Sequence, residues 1–447
     1  MNARLSRWLY YAAQGVRGEP VRAVLAELES SQRWPLERLK ALQWERQQAL
    51  FRHAFETVPF YRERWRRAGL APDALRAPAD WERLPMLEKH ELRELGESLR
   101  SSRAPRGLKA TTSGTSGTPI AVLRSHASWA HAHANVFRGW HWHGIEVGDR
   151  YAYFWGLALD ALGRRQAGWR DTMFNRERLS AFEITPAGAR AFYERLRAHP
   201  ARFGFGYPSA VTHFADEVAA QGLDGRALGF RAVITTSEVL REEQRERLER
   251  TFGCRAVDSY GAAEVGVTGF ECEAGGMHVP VESVALDFVP AEGGVFEVLV
   301  TDLFNLSQPV VRYRIGDFVA APPGACGCGR ALPLLGRIQG RAGEFITLPD
   351  GRRINGLLPY YIFRHHAKSG LVREYQFVQF ADGRIELRVL PGDAWSDAAK
   401  DAIETEVAAG LGVPVSLKRV ECIRRTGRGK FRDWVKAEDL GEQGAGP

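Results

Sequence analysis

The chain has 447 residues, 45% of them hydrophobic and 26% charged, with a formal net charge of +7. That length predicts two or more domains rather than one small core, and the balance excludes a disordered chain. No apolar run reaches the roughly 18 residues of a bilayer crossing. The positive charge is interleaved with Glu in RERWRR and REEQRERLER, which predicts solvated helix faces rather than a nucleic-acid surface. Cysteines Cys254, Cys272, Cys326, Cys328 and Cys422 make an odd count, which argues against a disulfide framework and for the cytoplasm.

In chain order, MNARLSRWLYYAAQGVRGEP reads as a first helix rather than a signal peptide. Residues 1 to about 105 are expected to be mostly helical, with LFRHAFETVPFYRERWRRAGL broken at Pro59. RAVITTSE is strand-like, REEQRERLERTFG predicts a helix ending at Gly253, and CRAVDSYG is strand-like again. This β–α–β rhythm predicts an α/β fold, a sheet with helices on its faces. VESVALDFV, GGVFEVLVTDL and VVRYRIGDFVA read as three strands, the last ending at Asp317. GRIQGRAGEFITLPDGRRI leads into a hairpin turning at Asp350-Gly351; a strand pair (EYQFVQFADGRIELRVLPG), a helix (DAWSDAAKDAIETEVAAGLG) and a last strand (VSLKRVECI) follow. The expected division is a large domain over residues 1–340 and a small, mobile α+β domain over 341–447. Cys254 and Cys422 fall in predicted strands and are expected to be buried.

Four stretches carry the chemistry. TTSGTSGTP offers the hydroxyls of Thr111, Thr112, Ser113, Thr115, Ser116 and Thr118 around Gly114 and Gly117. Neutral donors and turning backbone amides suit phosphate oxygens, though a Walker loop would need GK[ST] and a Ser/Thr/Gly linker has the same composition. In DSYGAAEVG, Tyr260 and Glu264 offer a ring for a purine and a carboxylate for hydrated Mg²⁺. Asp317, in VVRYRIGD, is placed to accept from ribose hydroxyls, and Lys430, in RRTGRGKFRD, is a point charge on the small domain. Elsewhere Cys272, His278, Cys326 and Cys328 are the residue types of a tetrahedral structural zinc, closing a clip between two strands. SHASWAHAHANVFRGWHWHG is either a pocket lining or helix surface; His131 and His133, at i and i+2, point to different helix faces and do not share a metal.

In this order and over nearly the whole chain, with the opening VPFYRERWRRAGL…WERLPMLEKHEL, the four stretches resemble the adenylate-forming superfamily. The resemblance is to its phenylacetate–CoA ligase-like and capsular-polysaccharide branch. It implies that a carboxylate and MgATP give an acyl-adenylate and pyrophosphate, and that CoA then displaces AMP. Transfer to an amine, a hydroxyl or a carrier-protein thiol is the alternative, and a non-catalytic nucleotide- or nucleic-acid-binding protein with a zinc clip is the reading from another class. By the resemblance Thr111 to Thr118 cradle phosphates, Tyr260 packs on adenine with Gly261 also in the nucleotide site, Glu264 binds Mg²⁺, Asp317 holds the ribose and Lys430 bridges the carboxylate and α-phosphate. Arg341 marks the hinge, and Phe205, Tyr207 and Ser237 line the cavity for an aryl or other hydrophobic acid. The resemblance also implies the zinc set, and a homodimer is one assembly considered. The chain departs from the pattern at Ala263, where the family has Thr, at Thr118, where aryl-CoA ligases have Lys, and at Gly343 and Glu344 after the hinge arginine.

Overall fold

The computed structural model describes residues 1–111, 120–156, 168–181, 184–291, 294–341, 346–348, 350, 352–354, 366, 369–424 and 431–440. The chain opens with a helical layer, α1 (Ala3–Val16), α2 (Val21–Ser31), α3 (Leu36–Thr57), α4 (Pro59–Arg67) and α5 (Lys89–Leu95). Pro59 separates α3 from α4 as expected, because at the first position of α4 its missing N–H leaves no bond unmade. The apolar stripe buries Phe51, Tyr61 and Trp65, with Trp65 stacked on Phe51 (4.7 Å) and Tyr61 (4.8 Å).

A hairpin, β1 (Gly107–Thr111) and β2 (Ala121–Ser125), runs directly into α6 (His126–Trp142), whose N-cap is the Ser125 hydroxyl. The central sheet has seven strands: β3 (Tyr151–Trp155), β4 (Arg176–Ser180), β5 (Phe203–Gly206), β6 (Ala232–Thr236), β7 (Arg255–Ala262), β8 (Gly266–Glu271) and β9 (Met277–His278). Their spatial order is β4-β3-β5-β6-β7-β8-β9; the pairs among β3 to β7 are parallel, and β8 and β9 turn back antiparallel. Connecting helices α7 (Pro186–Ala198), α8 (Pro208–Ala220) and α9 (Glu242–Phe252) cover one face; α1, α2 and α6 cover the other. Strand alternation explains the two layers: Val233 and Ala256 join the α8–α9 core, while Ile234 and Val257 join the α6 core. α9 stops at left-handed Gly253 (φ +67°), as the sequence predicts.

A four-stranded antiparallel sheet follows, β10 (Val284–Pro290), β11 (Phe296–Asp302), β12 (Tyr313–Val319) and β13 (Ile338–Arg341), and shares its core with α3 and α4. The expectation that Asp317 ends its strand is corrected: it lies inside β12, opposite Arg341 on β13. The left-handed residue comes earlier, at Arg312 (φ +47°), whose N–H donates to Thr301 Oγ1 (2.9 Å) and whose guanidinium donates to the carbonyls of Glu82 and Leu84; the β12–β13 register shifts just after Asp317, between Phe318 and Val319.

In the C-terminal unit, β14 (Ile346–Thr347) and β15 (Arg353–Ile354) form the expected hairpin. β16 (Val372–Gln379), β17 (Ile385–Pro391), α10 (Asp397–Leu411), β18 (Ser416–Arg419) and β19 (Trp434–Lys436) build a sheet ordered β18-β17-β16-β19 with its own core around Phe377, Leu387, Ile403 and Trp434. β19 is an addition to the sequence reading: three residues are too few to show an alternation, and its parallel pairing with β16 is non-local. The burial expected of two cysteines is corrected. Cys422 lies in a bend beyond β18 and is exposed, and Cys254, between α9 and β7, is half-buried. Several arginines expected on solvated faces are instead half-buried in ion pairs, Arg245 with Glu271 (2.9 Å) and Arg247 with Asp216 (3.0 Å). Among the described residues no helix is long and apolar enough to cross a membrane.

Candidate active site

The site follows from topology. From β3 the chain goes to β4 on one side, then returns across β3 to β5 and continues through β6 and β7 on the other. Such a reversal opens a crevice at the carboxyl ends of the diverging strands, the usual ligand position in an open α/β sheet. At these ends lie Trp155 of β3 and Tyr207 just after β5, with ring centroids 4.3 Å apart. Phe205 lies 6.0 Å from Tyr153 and 6.3 Å from Trp155, so two of the predicted pocket residues share one aromatic wall. The third, Ser237, leaves β6 in the left-handed region (φ +70°), strain that a non-glycine residue adopts only where its surroundings impose it.

Register carries the edge onward. Thr236 of β6 pairs with Ser259 of β7, so Ser237 and Tyr260 are the next residues along the two neighbouring strands. The Tyr260 hydroxyl donates to Asp317 Oδ2 (2.7 Å), joining two predicted residues from different sheets. Glu264 follows in the turn to β8, buried, and its Oε1 accepts from the Tyr313 hydroxyl (3.3 Å). Gly261 is required by packing: a Cβ there would run into the Gly266 carbonyl on β8. Asp258 lies on β7 two residues before Tyr260, and burial together with neighbouring Glu271 pushes its carboxyl up to about 7.

Two residues at this edge escaped the sequence reading. Tyr313 opens β12 and is fully buried. Arg124 of β2, also fully buried, donates to Ser128 Oγ (2.9 Å) and the Val265 carbonyl (3.2 Å) and pairs with Asp302 (3.5 Å). Burial pulls its pKa down against the attraction of Asp302 and Glu264. The available signal was an arginine amid the apolar run of AVLRS, just after the hydroxyl-rich loop. Of that loop only Thr111, the last residue of β1, is described; Thr112, Ser113, Gly114, Thr115, Ser116, Gly117 and Thr118 lie outside the described residues, as does Lys430. Arg341 is placed by its backbone, at the end of β13.

The His/Trp-rich segment forms α6 and is mostly buried, which corrects the helix-surface alternative. His131 Nδ1 meets Ser283 Oγ (2.9 Å) and His133 Nδ1 meets Tyr10 Oη (3.1 Å), on different faces as expected. Burial lowers their pKa values to about 3 and about 4, so both are neutral near pH 7.

Cys272, His278, Cys326 and Cys328 converge, with ligand atoms all within 4.8 Å of one another. Cys272 follows β8, His278 lies on β9, and the two remaining thiols come from the loop after β12, so the set brings the β8–β9 hairpin together with that loop. Cys272 Sγ lies 3.5 Å from Cys326 Sγ, and His278 Nε2 lies 3.2 Å from Cys328 Sγ. His278 Nδ1 is 2.9 Å from the Leu332 carbonyl, a partner that fixes the proton on Nδ1 and leaves the Nε2 lone pair facing the sulfurs.

No protein-family model matches the chain. Phenylacetate–coenzyme A ligase of Pseudomonas putida is 27% identical over 348 residues, covering 73% of this chain and 75% of the relative. Protein CapK of Staphylococcus aureus is 21% identical over 181 residues, 40% of each chain. Among solved structures, 2-hydroxyisobutyryl-CoA ligase in its postadenylation state superposes with a TM-score of 0.72, at 23% identity and over 92% of both chains. The same ligase in its thioesterification state, with CoA, superposes over the same shares at 24% identity with a TM-score of 0.60. The fold is therefore that of the adenylate-forming CoA ligases, with a large domain followed by a smaller C-terminal one. In sequence, the chain is a relative of the phenylacetate–CoA ligases, with CapK as a more distant one.

Proposed function

We propose that this chain is an ATP-dependent ligase that converts a carboxylic acid to its acyl-adenylate and transfers the acyl group to CoA. The observation that carries the reading is the meeting of Tyr260, Glu264 and Asp317 at the carboxyl edge of the sheet, in a relative of phenylacetate–CoA ligases. In the first half-reaction a carboxylate oxygen attacks the α-phosphorus of ATP, and the bond to the β-phosphate bridge breaks, releasing pyrophosphate. In the second, the CoA sulfur attacks the acyl carbon, the bond to AMP oxygen breaks, and the thiol proton passes to solvent. Two anions meet in the first step, so positive charge must gather there.

Asp317 accepts from the ribose hydroxyls, and its bond to Tyr260 Oη fixes both side chains beneath the nucleotide. Thr111 to Thr118 supply neutral donors to the β- and γ-phosphates, and Lys430 bridges the carboxylate and α-phosphate. Arg341 serves the joint between a large domain over residues 1–340 and a small one over 341–447. The wall of Tyr153, Trp155, Phe205 and Tyr207 favours an aryl or other hydrophobic acid. Five free cysteines suit a reducing cytoplasm.

Glu264 fits a magnesium site: it is a buried carboxylate at the sheet edge that accepts from the Tyr313 hydroxyl and faces the Arg124 guanidinium, and Mg²⁺ takes one or two carboxylates plus phosphate oxygens. The ion would screen the phosphate chain. Glu264→Gln keeps the shape and removes the charge, so carboxylate-dependent pyrophosphate exchange should fall about 100-fold, with part of the loss recovered at high magnesium. Unchanged exchange and magnesium dependence would contradict the assignment.

The Cys/His set fits structural zinc. Tetrahedral arms of about 2.3 Å to sulfur and 2.0 Å to nitrogen put ligand atoms about 3.5–3.8 Å apart, close to the spacing found. Four protein ligands leave no open position, so the ion would hold the hairpin to the loop and take no part in turnover. Cys326→Ser/Cys328→Ser should lose one equivalent of zinc by elemental analysis and melt several degrees lower. Full metal content in that variant would refute the clip.

A further inference from the structure

Two neighbouring residues of the large domain grip the C-terminal unit. The left-handed turn at Ser237 carries Glu238 to the start of α8, where its carboxylate accepts from Ser209 N (3.1 Å) and from Phe431 N of the C-terminal unit (3.0 Å). Three residues on, Arg241 pairs with Asp433, and its guanidinium lies over the rings of Tyr375 (5.3 Å) and Phe431 (5.2 Å). The Arg241 side chain is 14% exposed and that of Asp433 24%, so the pair is largely withdrawn from water, where losing one partner costs most. Inside the C-terminal unit, buried Gln376 donates from Nε2 to the carbonyls of Arg424 (3.0 Å) and Arg432 (3.1 Å), tying together the two sides of the sequence that contains Lys430. Phe377 N donates to the Asp433 carbonyl (2.7 Å), so the gripped segment is fixed to β16.

We propose that Glu238 and Arg241 are positioning residues that dock the C-terminal unit for adenylate formation and must let go before thioester formation. This rests on the reading above, in which Lys430 serves the first half-reaction. Both contacts are made in this chain, whose overall arrangement superposes better on the postadenylation than on the thioesterification state of a structural neighbour. The latch joins the end of β6 to the residues right after Lys430, so a small free-energy bias there shifts the population able to adenylate. Neither residue needs to touch the substrate to do this.

The test uses the full-length protein with phenylacetate as probe acid, and Arg241→Ala and Arg241→Lys as variants. Pyrophosphate exchange reads the first half-reaction; thioester formation from supplied phenylacetyl-adenylate and CoA reads the second; amide hydrogen exchange reads docking with no substrate present. Arg241→Ala should lower pyrophosphate exchange about tenfold or more while leaving the second half-reaction unchanged or faster. Amide exchange should rise around Phe431 and Asp433 but stay slow in the interior of β16 and β17. Arg241→Lys, which keeps a cation over the rings, should fall between wild type and alanine. An equal fall in both half-reactions, or unchanged amide exchange around Phe431, would overturn the latch. No pyrophosphate exchange by the wild type with any acid would instead count against the adenylation reading, and amide exchange would still decide the latch.

Discussion

Lys430→Ala is expected to lower carboxylate-dependent pyrophosphate exchange about 100- to 1,000-fold while leaving ATP affinity nearly intact. The asymmetry follows from where charge develops. Ground-state ATP is held by its ribose at Asp317, its adenine at Tyr260 and its magnesium at Glu264 in the proposed site. The lysine is needed when the acid's oxygen closes on the α-phosphorus, so it contributes to the barrier and little to binding. The two residues following it are anchored independently of its side chain: Phe431 N bonds to Glu238, and the Arg432 carbonyl accepts from Gln376. Truncation should therefore remove the charge without undocking the unit. Exchange within a few-fold of wild type would remove Lys430 from the mechanism, and a parallel loss of ATP binding would make it a nucleotide anchor.

The largest stability effect is expected inside the large domain, at Arg138 of α6 and Glu282. Both are nearly solvent-free, and Arg138 Nη1 donates to Glu282 Oε1 (2.7 Å) and to the Leu28 carbonyl (3.1 Å). Arg138 Nη2 reaches Asn135 Oδ1 (3.0 Å), and Glu282 also accepts from Ser31 Oγ (2.7 Å). The cluster ties α2 to α6 and to the segment that leads into β10. Removing one partner strands a buried charge, so Arg138→Ala should cost about 3–5 kcal/mol in denaturant unfolding. A paired replacement by apolar side chains should cost less, since it strands nothing. Burial alone would raise the Glu282 carboxyl; Arg138 and Ser31 more than offset it and hold it below the usual range. A depressed carboxylate contributes its stability above the unfolded-state pKa and loses it as pH falls through the folded one. The difference between wild type and Glu282→Gln should therefore be full near neutrality and shrink in acid, below about pH 4.5. A pH-independent difference would show that the ion pair contributes nothing.

Much of this architecture was legible because local signals and tertiary demands agree. Pro59 and Gly253 punctuate helices where their backbone chemistry requires, and the strands of the β–α–β run alternate as a two-faced sheet must. The proposed site residues Tyr260, Glu264 and Asp317 were legible as motif members, but their contacts were not. The bond from Tyr260 to Asp317 joins residues 57 apart in sequence and on different sheets. Arg124 and Tyr313 were missed for a related reason: a single arginine or tyrosine in an apolar run says nothing of the buried carboxylate it will meet. β19 and the Arg241–Asp433 pair escaped because they exist only once the C-terminal unit has folded and docked. The Cys/His cluster was the opposite case, since few residue types make such sites and four of them converge.

The most direct test of the central claim is carboxylate-dependent exchange of labelled pyrophosphate into ATP across a panel of aryl and aliphatic acids, with mass analysis of the products after CoA is added. The account predicts exchange with at least one aryl or hydrophobic acid, and with CoA a thioester formed in step with AMP. ATP binding with no exchange for any acid on the panel, magnesium present, would contradict it.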